Sequence, residues 1–148
     1  KMSFVTELKL WQEAEKRFAK YLLFKYDVVV LEFSQWKFKD YDIKLTTKEW
    51  ETTYEVKGYR QADKTWKVFF EIRYNWNASW LFTSKADYFV QFANGKCYIQ
   101  EMGELILRLM NVNKKEMKGW DWWKTLWWLV SMNDIESLFD VIDLDEEI

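Results

Sequence analysis

The chain has 148 residues, of which 49 % are apolar and 31 % charged. That is long enough to bury a core as one domain, residues 1–148, and too apolar for disorder. One cysteine, Cys97, and no histidine exclude an internal disulfide, a Cys/His zinc site and Ser-His-Asp or Cys-His catalysis. The net charge of −2 provides no global attraction to nucleic acid, so a DNA-binding face has to be a local basic patch.

Residues 6–24 are expected to form the first helix, with Leu8, Trp11, Glu15, Phe18 and Leu22 at helical spacing and Thr6 as N-cap. The β-branched run Val28–Phe33 reads as a strand. Tyr41–Thr46 and Thr52–Lys57 both alternate, and the polar Thr47–Trp50 between them suits a hairpin. Lys67–Tyr74 is a further strand, with Phe69 or Phe70 inward. Thr83–Ala86 is expected as one helical turn. Asp87–Ala93 and Lys96–Gln100 flank Asn94-Gly95, the strongest short turn signal in the chain. Gly103–Asn111 reads as an amphipathic helix and Leu126–Val130 as a strand. Asn133 and Glu136 have capping-box spacing for a helix reaching Phe139, and Val141–Leu144 reads as a last edge strand. The expected class is α/β: a central mixed β-sheet flanked by helices. No stretch of about 18 apolar residues suggests a membrane-spanning helix. Lys1–Lys9 lacks a signal-peptide core, so the expected setting is cytoplasmic.

Composition sets a second problem. There are 11 tryptophans, 4 glycines and no proline, where about ten glycines are usual for this length. Trp36, Trp66 and Trp76 occupy polar, turn-like settings in which glycine is expected for its access to positive φ. The reading is that many tryptophans stand where the natural protein has glycine, as when a genome that uses UGA for glycine is translated with UGA as tryptophan. The alternative is a real aromatic surface for ligand stacking.

Three residues carry the chemistry. Glu55 and Lys57 are two apart on one strand and share a face, and across the hairpin Asp42 can meet Glu55 there. Two carboxylates with the Val56 carbonyl make a hard-oxygen site that favours Mg²⁺ or Mn²⁺. A cation there would activate water and polarise a phosphodiester, and Lys57 would orient the nucleophile or neutralise developing charge. A Glu-x-Lys on a strand is also a common solvated face; the upstream Asp42 is what raises the catalytic reading.

At these residues the sequence resembles the PD-(D/E)XK nuclease superfamily, in particular small phage-type members, over residues 10–130. Lys39-Asp40-Tyr41-Asp42-Ile43-Lys44 resembles the motif presenting the first metal-binding aspartate, and Tyr54-Glu55-Val56-Lys57 the second motif. Val68-Phe69-Phe70-Glu71-Ile72 resembles the following strand. The segment from Asn77 to Tyr88 resembles the family's Pro-Ser-Gly-x-x-Thr-Thr-Lys-Ala-Asp-Tyr stretch, the most specific match. Gln12-Glu13-Ala14-Glu15-Lys16 resembles the first-helix motif. Departures recur: tryptophan stands for the family's glycine at Trp11, Trp66, Trp80, Trp120 and Trp122, and Ala78 for its proline.

The resemblance implies a restriction-endonuclease-like core and Mg²⁺-dependent phosphodiester hydrolysis, with DNA as the expected nucleic-acid partner. Asp42 and Glu55 would hold metal with Val56, Lys57 would be catalytic, and Glu15 would be a supporting acid. Lys85, Ser79 and Thr83 are candidate phosphate contacts, although Ser79 and Thr83 could equally make the turn. Glu71 could be a third acid or an ordinary strand residue, and Asp87 a brace. Residues 119–124, if glycine-rich, could form an anion nest. A homodimer would be needed for a junction-resolving variant. A catalytically inactive nucleic-acid-binding module on the same fold remains the alternative.

Overall fold

The computed structural model describes residues 4–34, 40–58, 65–75, 77–118 and 124–144, and only the backbone of residues 4–12 and of Trp80. The first helix, α1, spans Phe4–Lys25. Ala14, Phe18, Ala19, Tyr21 and Leu22 recur at helical spacing and are all buried, which fixes the face α1 turns to the sheet. Lys25 closes its last turn, where a cation suits the helix dipole.

Among the described residues, ten strands follow in two sheets. The larger contains β1 (Val30–Phe33), β2 (Ile43–Thr46), β3 (Glu51–Lys57), β6 (Tyr88–Ala93), β7 (Lys96–Glu101) and β10 (Asp140–Asp143), in the order β1-β2-β3-β6-β7-β10. All its pairs are antiparallel except β3 with β6. A parallel pair needs a long crossover; here the crossover carries β4 (Lys67–Tyr74), β5 (Asn77–Ala78) and the short helix α2 (Trp80–Thr83). Strands β4 and β5 join β8 (Lys115–Lys118) and β9 (Leu126–Ser131) in an antiparallel sheet ordered β5-β4-β9-β8. Helix α3 spans Met102–Asn111.

The mixed sheet therefore lies between two cores. On one face, Ile43, Leu45, Tyr54, Val56, Val90 and Phe92 pack against α1. On the other, Phe89 and Tyr98 meet Val68, Phe70, Trp128 and Val130 of the second sheet and Leu105 and Leu109 of α3. Strand alternation assigns the faces: Tyr54 and Val56 turn to α1, and Glu55 and Lys57 turn away from it.

The α/β class and central mixed sheet agree with the sequence reading. The second sheet does not follow from it: the sequence pattern marks β4 and β9 only as single strands and carries no signal for β5 or β8. β8 is four residues of mixed polarity, Lys-Glu-Met-Lys, and acquires its conformation by pairing with β9. The expected helix from Asn133 to Phe139 is two 3-10 turns, Met132–Asp134 and Glu136–Leu138. The cap is Ser131, whose side chain accepts from the Asn133 N–H. Burial of Met132, Ile135 and Phe139 follows a tight-turn spacing there. The helical turn expected at Thr83–Ala86 lies earlier, at Trp80–Thr83.

Asn94 and Gly95 have φ of 51° and 75°, as a two-residue hairpin requires. Trp66 has φ of 56°, a left-handed conformation that costs a bulky residue and that glycine adopts freely. Trp128 behaves in the opposite way, as a buried strand residue of the core. The tryptophan excess thus contains at least two kinds of position. Trp36, Trp76, Trp120, Trp122, Trp123 and most of the segment 119–124 lie outside the described residues. Among the described residues no helix is long and apolar enough to cross a membrane.

Candidate active site

The hairpin β2–β3 assembles the centre. Ile43 pairs with Tyr54 as the last rung of its ladder. One residue earlier, the Asp42 N–H donates to the Tyr54 carbonyl at 2.9 Å, and Asp42 Oδ2 accepts from the Val56 N–H at 2.7 Å. The aspartate thus prolongs the ladder with its side chain. Backbone groups two apart on a strand point the same way, so the Val56 carbonyl also faces the Asp42 side. Asp42 and Glu55 are nearly sealed from solvent, at 2 % and 3 % exposure, and their carboxyl groups are within hydrogen-bonding reach of each other. Lys57 Nζ lies 3.2 Å from Glu55 Oε2.

Burial pushes the Glu55 carboxyl up to about 7. The Lys57 ammonium opposes the rise and the Asp42 carboxylate adds to it. Two buried carboxyls with one lysine hold less positive charge than they can use. This donor set fits a hard divalent cation: Asp42, Glu55 and the Val56 carbonyl offer only oxygen. No group of three or more acid or cysteine side chains suited to a metal occurs among the described residues, so Glu15 is not gathered into such a group. Glu15 sits on α1, on the opposite face of the sheet from the Glu55 side chain.

Ser84 is not among the sequence candidates, yet its hydroxyl touches Glu55 directly. Its Oγ lies 3.0 Å from Glu55 Oε1 and 3.2 Å from the Asp40 carbonyl, and it accepts from the Ala86 N–H. Ser84 is the first residue after α2, in the link to β6. The sequence signal lies in Thr83-Ser84-Lys85, but the expected turn at Thr83–Ala86 starts after the observed Trp80–Thr83, and that boundary decides which hydroxyl points inward.

The neighbours divide by role. Lys85 is exposed, 3.9 Å from Asp40 Oδ2, and its N–H donates to the Asp40 carbonyl; it stands beside the centre with its ammonium in solvent. Thr83 Oγ1 donates to the Ser79 carbonyl, closing the α2 turn. Ser79 is buried and its hydroxyl bonds Glu71 Oε1. Glu71 alternates with the inward Phe70 on β4 and belongs to the second sheet. Asp87 is a brace: its Oδ2 accepts from the Thr53 N–H at 3.0 Å and from the hydroxyls of Thr52 and Thr53. It anchors the start of β6 against β3. Cys97 is buried, which pushes its thiol up and leaves it unreactive.

No family model, no curated protein and no solved structure matches the chain.

Proposed function

We propose that the chain is a Mg²⁺-dependent nuclease acting on DNA, with a restriction-endonuclease-like core formed by the mixed sheet and α1. The observation that carries this reading is the buried Asp42–Glu55 carboxyl pair with the Lys57 ammonium against it. Such a pair is costly for a fold and has a clear use in a phosphodiesterase. Asp42, Glu55 and the Val56 carbonyl would hold the cation, which when bound supplies charge for the phosphoryl oxygen and activates water.

The chain's own residues do the rest. The Val56 N–H fixes the Asp42 carboxylate through Oδ2. Ser84 fixes one oxygen of Glu55. Lys57 is only partly exposed, so its charge acts at low dielectric on the developing negative charge of the phosphate. Lys85, with its ammonium in solvent, suits contact with the DNA backbone. Glu15 would act as a supporting acid only from the helix side, past the end of the sheet.

The test is cleavage of linear, nicked and branched DNA with Mg²⁺ and with chelator, using the wild type, Asp42→Asn and Lys57→Ala. Mg²⁺-dependent cleavage by the wild type, lost in both variants, is expected. Preference for branched DNA together with a homodimer in solution would assign a junction-resolving role. DNA binding without cleavage would replace this reading with the inactive binding module, and cleavage surviving either substitution would remove these residues from the chemistry.

A further inference from the structure

Gln91 is fully buried in β6, and its Oε1 has no hydrogen-bond partner among the described residues. Its Nε2 donates to the Phe92 carbonyl at 2.9 Å. The amide cannot be turned over, because its oxygen would then face the Phe92 carbonyl oxygen. An orphaned buried acceptor is rare in a native structure and calls for a cause.

Register and alternation locate it. Gln91 is the parallel partner of Lys57, as Phe89 is of Glu55. Phe89 lies in the core opposite α1 while Val90 and Phe92 lie on the α1 side, so Gln91 shares the face of Glu55 and Lys57. In the two-residue hairpin after it, Ala93 and Lys96 pair and exchange hydrogen bonds. By alternation the Phe92 carbonyl then faces β3. The amide held by that carbonyl is therefore drawn toward the Lys57 strand.

We propose that Gln91 is a positioning residue of this centre, its side-chain carbonyl receiving the Lys57 ammonium when Glu55 turns to a bound divalent cation. The proposal rests on the nuclease reading for its use, but the contact itself is independent of turnover. Without a cation, Lys57 pairs with Glu55 Oε2. With one, that oxygen is claimed, and the ammonium, which carries three donors, can take a further acceptor. Gln91 Oε1 is a dry acceptor on the adjacent strand, and it holds the lysine on the face where the phosphate arrives.

The test uses the full chain with ¹⁵N-labelled lysine and Mg²⁺, comparing wild type, Gln91→Met and, should methionine not pack, Gln91→Leu. The Lys57 ammonium protons are followed by exchange with water, with Lys57→Arg assigning the signal. Exchange roughly ten-fold faster in the glutamine variants is expected, the factor one charge-assisted hydrogen bond supplies. DNA cleavage should fall by about 10- to 100-fold in kcat at unchanged KM. The thermal midpoint should change little, since removal of the orphaned Oε1 offsets loss of the bond from Nε2 to the Phe92 carbonyl. A glutamine that merely supported the fold would lower the midpoint and leave ammonium exchange alone. Unchanged exchange overturns the proposal whether or not DNA is cut. Faster exchange in the Gln91 variants, with a wild type that cuts no DNA, would keep the Gln91–Lys57 contact and discard the nuclease.

Discussion

Replacing Glu55 by glutamine tests the electrostatic state of the centre before any substrate is added. Burial, reinforced by the Asp42 carboxylate and opposed by Lys57, takes the Glu55 carboxyl from an ordinary 4.5 to about 7. A carboxyl raised in this way binds its proton more tightly in the folded chain than in the unfolded one. Its contribution to stability is fully present below pH 4.5 and is lost as the pH rises through about 7. At about 1.4 kcal/mol for each pH unit between those values, the loss is roughly 3 kcal/mol. Glutamine does not titrate, can donate to Asp42 as the protonated acid does, and can accept from Ser84. Urea unfolding between about pH 4.5 and pH 8 should therefore show the wild type losing roughly 3 kcal/mol relative to Glu55→Gln. Added Mg²⁺ should restore part of that loss at the alkaline end, where it replaces the proton, and little at the acid end. A difference between the two proteins that stays flat with pH, or equal Mg²⁺ stabilisation of both, refutes the argument.

Three further outcomes are expected. Asp42→Ala should destabilise the fold by about 1–3 kcal/mol, because it orphans the buried Val56 N–H, whereas Asp42→Asn should keep that bond and lose only metal binding; paired urea curves and Mg²⁺ titrations separate them. Ser84→Ala should weaken Mg²⁺ binding by about 10-fold or more by releasing Glu55, read by calorimetry, and unchanged affinity would reduce Ser84 to a turn residue. Trp66→Gly should be more stable than Trp66→Ala by about 1 kcal/mol, since both lose the indole and only glycine relaxes the left-handed backbone. Alanine matching glycine in urea unfolding would remove the conformational argument, and a UGG codon at position 66 would end the recoding account.

The arrangement of the candidate centre is largely legible in the sequence because its geometry is local. Asp42 and Val56 are 14 residues apart, and the two-residue period of β2 and β3 is enough to bring Asp42, Glu55 and Lys57 to one face. Ser84 and Gln91 were not legible, because their positions depend on where a four-residue helix stops and on a parallel register that no turn encodes. The second sheet was missed for a related reason: Lys115–Lys118 has no apolar alternation, and only its partner Leu126–Ser131 makes it a strand. The run from Met132 to Phe139 misled because a spacing of three to four suits both an α-helix and successive 3-10 turns, and Ser131, not Asn133, provides the cap.

The parallel seam between β3 and β6 sets the order in which this centre can come together. The two acids and the lysine arrive with a hairpin, whose ends meet cheaply and early. The serine 29 residues beyond Glu55 arrives only after an intervening stretch of chain has been closed off, an entropic toll that non-local contacts impose late in folding. The Asp87 clasp on Thr53, across 34 residues, is the latch on that closure. A half-folded chain thus presents the acids but not the groups that restrain them, so the complete candidate centre is among the last features the molecule acquires.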